Sequence, residues 1–298
     1  MSIDFKEIPA VRFLILFSSF FVALLIASGV AYAVSNIDSI SERTGYLISS
    51  AVQCIVAFCL PAWFTAKFCS NYPSKWLYLD EFPSFMSLSG VIMLYLLALP
   101  AMNWLIEWNE NIHLPEILKG LEATLRNWEE TNGNVAQTIL SVKSPLAVLA
   151  AVGVVGVLTG FSEELFFRGA LQGILIRCAI PTALAVWGTA VIFSALHFQF
   201  FGFIPRLLMG ALFGYLLVWS KSLWLPIFAH ALNNSIVVIV ASFPESAAHN
   251  VSIDNIGVEL IVVFPWLAMS SAAATIIFLY FFRKFLCGIK EDNDIDRK

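Results

Sequence analysis

The chain has 298 residues, of which 59% are hydrophobic and only 13% charged, and its mean hydropathy is +0.81. Soluble domains carry about 25% charged residues, so a water-solvated core of this length is excluded, and a bilayer accounts for the excess of apolar side chains. The net charge of −4 says little, because most charges sit in short loops and tails, but the lack of a basic stripe or Arg-rich segment argues against a nucleic-acid partner. The five scattered cysteines (Cys54, Cys59, Cys69, Cys178 and Cys287) show neither a disulfide framework nor C-x-x-C spacing.

A helix crosses a bilayer with about 20 apolar residues. Runs of that kind lie near 11–34, 46–69, 84–107, 145–165, 182–200, 205–220, 222–241 and 258–282. The expected fold is therefore an all-α membrane protein, a bundle of about eight transmembrane helices. The first run follows Lys6 and Arg12 and ends at Ala31-Tyr32-Ala33, which resembles a signal-peptide cleavage site. It exceeds the ~7–15 residues of a signal peptide's apolar region, so it reads as a retained helix. Residues 109–144 are polar, with Leu114, Ile117, Leu121, Leu125 and Trp128 spaced three or four apart. That spacing predicts an amphipathic extra-cytoplasmic helix near 110–130, ending at the turn signal Asn132-Gly133. It reads as a helix on the membrane surface or capping the bundle, with a substrate gate as the alternative. His113 and His249 read as surface histidines.

Three regions follow: 1–144, three spans and the amphipathic insertion; 145–241, a core carrying the chemistry; and 242–298, the last helix and a polar tail. Lys67 and Lys75 lie between spans two and three, and Arg283, Lys284, Lys290, Arg297 and Lys298 follow span eight. The positive-inside rule then places both termini in the cytoplasm, which needs an even number of spans. A chain without targeting extensions suits a bacterial inner membrane.

A charge near the bilayer centre costs about 2.5–3.5 kcal/mol, and such residues face the bundle interior and mark function. The first cluster is Ser162-Glu163-Glu164-Leu165-Phe166-Phe167-Arg168. Glu164 and Arg168 are i,i+4 neighbours that can pair, while Glu163 points about 100° away. Alone, this is a helix-end salt bridge. The second cluster, Phe193-Ser194-Ala195-Leu196-His197, read alone offers a core histidine. In the third, His230-Ala231-Leu232-Asn233-Asn234, His230 and Asn234 share a helix face, and alone they are interhelical glue. Together, three spans offer groups suited to hydrolysis. A carboxylate beside an imidazole can deprotonate water and later protonate a leaving amine, and a further imidazole and an amide can stabilise an oxyanion. With no G-x-S-x-G elbow and no H-E-x-x-H motif, water is the economical nucleophile.

E-E-x-x-x-R, then F-x-x-x-H, then H-x-x-x-N on successive membrane helices resembles the CAAX-protease and bacteriocin-processing family, which includes Abi-type proteins. The resemblance covers about residues 145–236. It implies an eight-helix intramembrane endopeptidase in which Glu163 and His197 activate the water, and His230 and Asn234 stabilise the oxyanion. Glu164 and Arg168 would support the site, or Arg168 would meet a substrate carboxylate. Asn233 adjoins the matched Asn234 and is a neighbouring candidate for its role. No cofactor is expected. The alternative is zinc held by Glu163, His197 and His230.

The expected partners are a peptide or protein substrate at the membrane, and lipid. Two other functions compete. One is a non-enzymatic membrane scaffold or bacteriocin-immunity factor. The other is a proton-coupled transporter, against which stands the confinement of the ionisable residues to the second half of the chain, since transporters often repeat across their halves.

Overall fold

In the computed structural model, which describes residues 8–140, 144–243 and 265–295, every regular element described is a helix. Chain order is α1 (Pro9–Ser35), α2 (Glu42–Cys69), a single turn at Pro73–Trp76, α3 (Phe85–Glu110), α4 (Lys119–Leu140), α5 (Pro145–Arg177), α6 (Thr182–Ala195), α7 (Phe203–Ser220), α8 (Trp224–Ala241) and α9 (Trp266–Ile295). The starts follow from local chemistry. Ser41 and Ser84 each cap a helix by accepting a backbone N–H three residues on. Pro9 and Pro145 occupy first-turn positions that need no N–H.

Seven of these helices, all but α4 and α6, are long and apolar enough to cross a membrane. The surface is correspondingly inverted relative to a soluble protein. Leu14, Leu25, Met93, Leu184, Ile276 and Phe281 are exposed, while Ser162, Gln172, Thr189 and Ser194 are buried. The chain is an integral membrane bundle, with apolar side chains toward lipid and polar ones toward each other.

Two expectations change. The span expected at 182–200 is the 14-residue helix α6, about 21 Å long at 1.5 Å per residue, short of the ~30 Å hydrocarbon core. It stops because Leu196, His197 and Phe198 form a turn, with Phe198 at φ 53°. The second change is in α4, which runs through Asn132-Gly133 to Leu140. Val135, Ile139 and Leu140 continue its apolar stripe there, and Ile139 is buried with Leu47, Ala151 and Val238. Arg43 of α2 fastens that end by donating to the Ile139 carbonyl at 3.1 Å and the Ala147 carbonyl at 2.8 Å. His249 and the start of the span expected at 258 lie outside the described residues.

A chain of aromatic rings runs from α1 to the polar centre. Phe20 packs on Phe166 at 4.9 Å, Phe166 on Phe167 at 5.2 Å, and Phe167 on Phe193 at 5.2 Å. These edge-on and tilted contacts belong to one core drawn from α1, α2, α5, α6, α7 and α8. The contact between α5 and α8 is set by Gly156 and Gly160. A Cβ on Gly160 would lie 2.8 Å from the Ala231 nitrogen, and one on Gly156 would strike the Ser235 side chain. This is a G-x-x-x-G interface, in which missing side chains let two backbones approach.

Gly160→Ala is therefore expected to destabilise the bundle by about 1–3 kcal/mol, the usual range for overpacking. Thermal unfolding in one detergent should show a lower Tm for Gly160→Ala, and an unchanged one for Gly153→Ala, whose Cβ meets nothing within 4 Å.

Candidate active site

The α5 helix carries the first cluster on an interrupted register. Wide π turns occupy Val152–Leu158 and Leu165–Gln172, with six α-helical residues, Thr159–Glu164, between them. Such turns occur often at functional sites. Here both carboxylates end the short α segment.

Glu164 points into the protein and is fully buried. Its Oε1 accepts from Arg168 Nη1 at 2.6 Å and bonds His230 Nδ1 at 2.8 Å. Arg168 is also fully buried. Its Nη2 donates to the Gly210 carbonyl at 3.0 Å, and its guanidinium lies 4.4 Å from the Phe193 ring centroid and 5.4 Å from that of Phe213. One helical turn on, Gln172 donates to the Gly214 carbonyl at 3.1 Å. Two side chains of α5 thus fasten α7 at two glycines four apart. Arg168 has no surface open to a substrate carboxylate, so of the two roles offered for it, support of the site is the one its position allows.

Glu163 faces the other way, into a cavity of about 860 Å³ that His197, His230, Asn233, Asn234 and Arg206 also line. Its Oε2 stands 3.8 Å from His230 Nε2. His230 is held by three contacts: it stacks on Phe213 at 5.0 Å, meets the Phe193 edge at 5.9 Å, and spends Nδ1 on Glu164. The resemblance assigns His230 with Asn234 to the oxyanion, apart from the carboxylate pair of Glu164 with Arg168. Instead His230 sits between Glu163 and Glu164, because α8 packs onto α5 through Gly160.

His197 stands in the turn after α6, and its Nδ1 bonds the Phe193 carbonyl at 2.7 Å. A carbonyl only accepts, so Nδ1 carries the proton and the neutral ring keeps a lone pair on Nε2. Asn234 donates through Nδ2 to the Val155 carbonyl at 3.2 Å and accepts through Oδ1 from Asn233 at 3.1 Å. The six candidates therefore form two layers. Glu163, His197, His230 and Asn234 line the cavity, and Glu164 and Arg168 lie behind it.

Among the described residues no three His, Cys, Asp or Glu side chains form a metal-holding group. Glu163, His197 and His230 share a cavity without closing into such a set.

Sequence reasoning passed over Phe213, Gly210 and Arg206. Gly156 and Gly160 did carry a readable signal in their four-residue spacing. Phe213 and Arg206 had none, since an aromatic residue in an apolar span and an arginine at a span's edge are ordinary there.

Comparison with known proteins supports the resemblance. Residues 145–236 match the family described as type II CAAX prenyl endopeptidase Rce1-like. A Bacillus subtilis (strain 168) protein, the uncharacterized protein YpbD, is 31% identical over 83 residues, which are 26% of this chain and 39% of that protein. The chain thus spans about two fifths of the curated relative it matches. No solved structure matches. Both the family match and the ring of facing side chains fall on α5 to α8.

The buried pair makes a stability prediction. Arg168→Met leaves the Glu164 carboxylate buried without its cation, a loss of about 3–5 kcal/mol in comparable pairs. The double variant Glu164→Gln/Arg168→Met should lose less than the sum of the two single variants. A double-mutant cycle on unfolding in detergent measures the difference.

Proposed function

We propose that this chain is an intramembrane endopeptidase of the CAAX-protease type, in which Glu163 and His197 activate a water that attacks a peptide carbonyl. The observation that carries this reading is the division between two adjacent carboxylates. Glu164 is consumed by Arg168 and His230, while Glu163 stands beside His230 in a cavity that His197 also lines. The match of residues 145–236 to the Rce1-like endopeptidases supports it.

The steps follow from the donors available. A water between Glu163 and His197 Nε2 gives up a proton to them as its oxygen bonds the carbonyl carbon. The oxyanion so formed faces the second N–H of the Asn234 amide and, on the same face of α8, His230 Nε2, which donates when the ring carries a proton on both nitrogens. The proton then passes to the peptide nitrogen, the C–N bond breaks, and an amine and a carboxylic acid leave. Glu164 and Arg168 act through His230: the carboxylate fixes the ring by its Nδ1, and the guanidinium balances the carboxylate.

Apolar walls contributed by Val91, Leu94, Met209, Leu212 and Leu216 suit a substrate with apolar side chains. The proposed setting is a bacterial inner membrane; the seven long apolar helices among the described residues do not supply the even count that two cytoplasmic termini require.

Purified full-length protein should cleave a quenched fluorogenic peptide. Glu163→Gln and His197→Ala should each lower kcat/KM by at least about 100-fold, the lower end of general acid–base contributions. Retained cleavage in either variant would remove that residue from the mechanism. A chelator such as 1,10-phenanthroline should leave the rate unchanged. Loss of activity that added zinc restores would move the reaction to a metal-bound water.

A further inference from the structure

His197 is the one proposed catalytic residue that no regular helix holds, and its turn has a strained neighbour. Phe198 has φ 53°, a region costly for a bulky side chain. Such a turn keeps its shape only when its surroundings over-determine it, and the surroundings here come from the end of α3 and from α4. Asn109, at the end of α3, is 1% exposed. Its Oδ1 accepts from the Ile204 N–H at 2.8 Å, and its Nδ2 donates to the Phe200 carbonyl at 3.5 Å. Ile204 is the second residue of α7, so Asn109 caps that helix from another part of the chain.

The amphipathic helix α4 grips the same turn from its outer side. Trp128 meets Phe198 edge-on at 6.3 Å. The Arg126 guanidinium lies 3.9 Å from the Phe201 ring centroid, and Glu129 lies against the backbone N–H groups of Phe201 and Gly202. Arg126 is itself fixed, donating to Glu122 at 2.9 Å and to the Ile112 carbonyl at 3.0 Å. The Leu114 N–H, with His113 and Arg126, holds the Glu122 carboxyl down to about 2. Glu122 therefore stays charged at any pH used for an assay.

We infer that the 109–140 segment is a clamp that positions His197, with Asn109 as its central positioning residue. This rests on the protease reading above. Asn109 does not line the cavity, so it acts through the turn and not on substrate. Small displacements of a catalytic group cost about 100-fold in rate without weakening ground-state binding. The signature is therefore a fall in kcat with KM unchanged.

The experiment compares full-length wild type with Asn109→Ala, Asn109→Asp and Trp128→Ala, assayed on the same peptide well below each variant's Tm. Asn109→Ala should lower kcat at least tenfold with KM within twofold. Asn109→Asp keeps the oxygen that accepts from Ile204 and should recover most of the loss. Wild-type kcat in a folded Asn109→Ala protein, a loss confined to KM, or no recovery in Asn109→Asp would each overturn the clamp. If Asn109→Ala does not fold, Trp128→Ala decides, since that ring is 47% exposed. A fall in its kcat alone supports the clamp, and wild-type kcat overturns it. A wild-type protein that cleaves no peptide overturns the protease reading and this inference with it, whereas active wild type, inactive Glu163→Gln and unaffected clamp variants overturn the clamp alone.

Discussion

The buried Glu164–Arg168 ion pair is the constraint around which the second half of the molecule is arranged. Neither side chain has any exposed surface, and the core packed around that part of the helix is largely apolar. An isolated charge there carries a desolvation penalty of several kcal/mol, which only a close partner and further hydrogen bonds offset. Each neighbouring feature answers that demand. Phe193 and Phe213 present ring faces to the guanidinium, the Gly210 carbonyl accepts its second arm, and His230 shares the carboxylate. Because these partners come from α6, α7 and α8, satisfying one charge pair pulls three helices into register around α5.

A second constraint comes from ending a short apolar helix within the bundle. Backbone left unpaired there has to be covered by protein or by a wet cavity. The short α6 ends at Ala195, and the groups freed beyond it are met one by one. Ser194 reaches the Phe203 carbonyl at 2.8 Å, Asn109 takes the Ile204 N–H, and His197 turns back to the Phe193 carbonyl. The short helix is thus what brings His197 to the cavity wall, where a full span would have carried it past.

What was legible in the sequence was whatever a single helix determines. The i,i+4 spacing of Glu164 with Arg168 and of His230 with Asn234 gave two shared faces, and both are present. Apolar length gave the spans. What crosses between helices was not legible, because side chains drawn from separate helices have no fixed spacing. The place of His230 between both glutamates, the aromatic walls and the grip of Asn109 on α7 all fall in that class. Asn132-Gly133 misled for a related reason. A local turn signal lost to tertiary packing, since Ile139 had a buried site to fill beyond it. Gly156 and Gly160 stand between the two cases: their spacing was readable, but only the facing Ala231 and Ser235 give it meaning.

Two glutamates adjacent in sequence end up in opposite environments, and helix geometry requires it. A rotation of about 100° per residue sends Glu164 toward Arg168 in the buried interior and Glu163 toward the cavity, so a single residue step separates the buried carboxylate from the open one. Had the pair been spaced i,i+4, both carboxylates would have shared one face and repelled each other. Adjacent, they meet only through His230, whose two nitrogens face one carboxylate each, at 2.8 and 3.8 Å. That ring is the point where the buried pair acts on the open one. A change in Glu164 or Arg168 therefore reaches the cavity through the orientation of one imidazole, although neither residue lines the cavity itself.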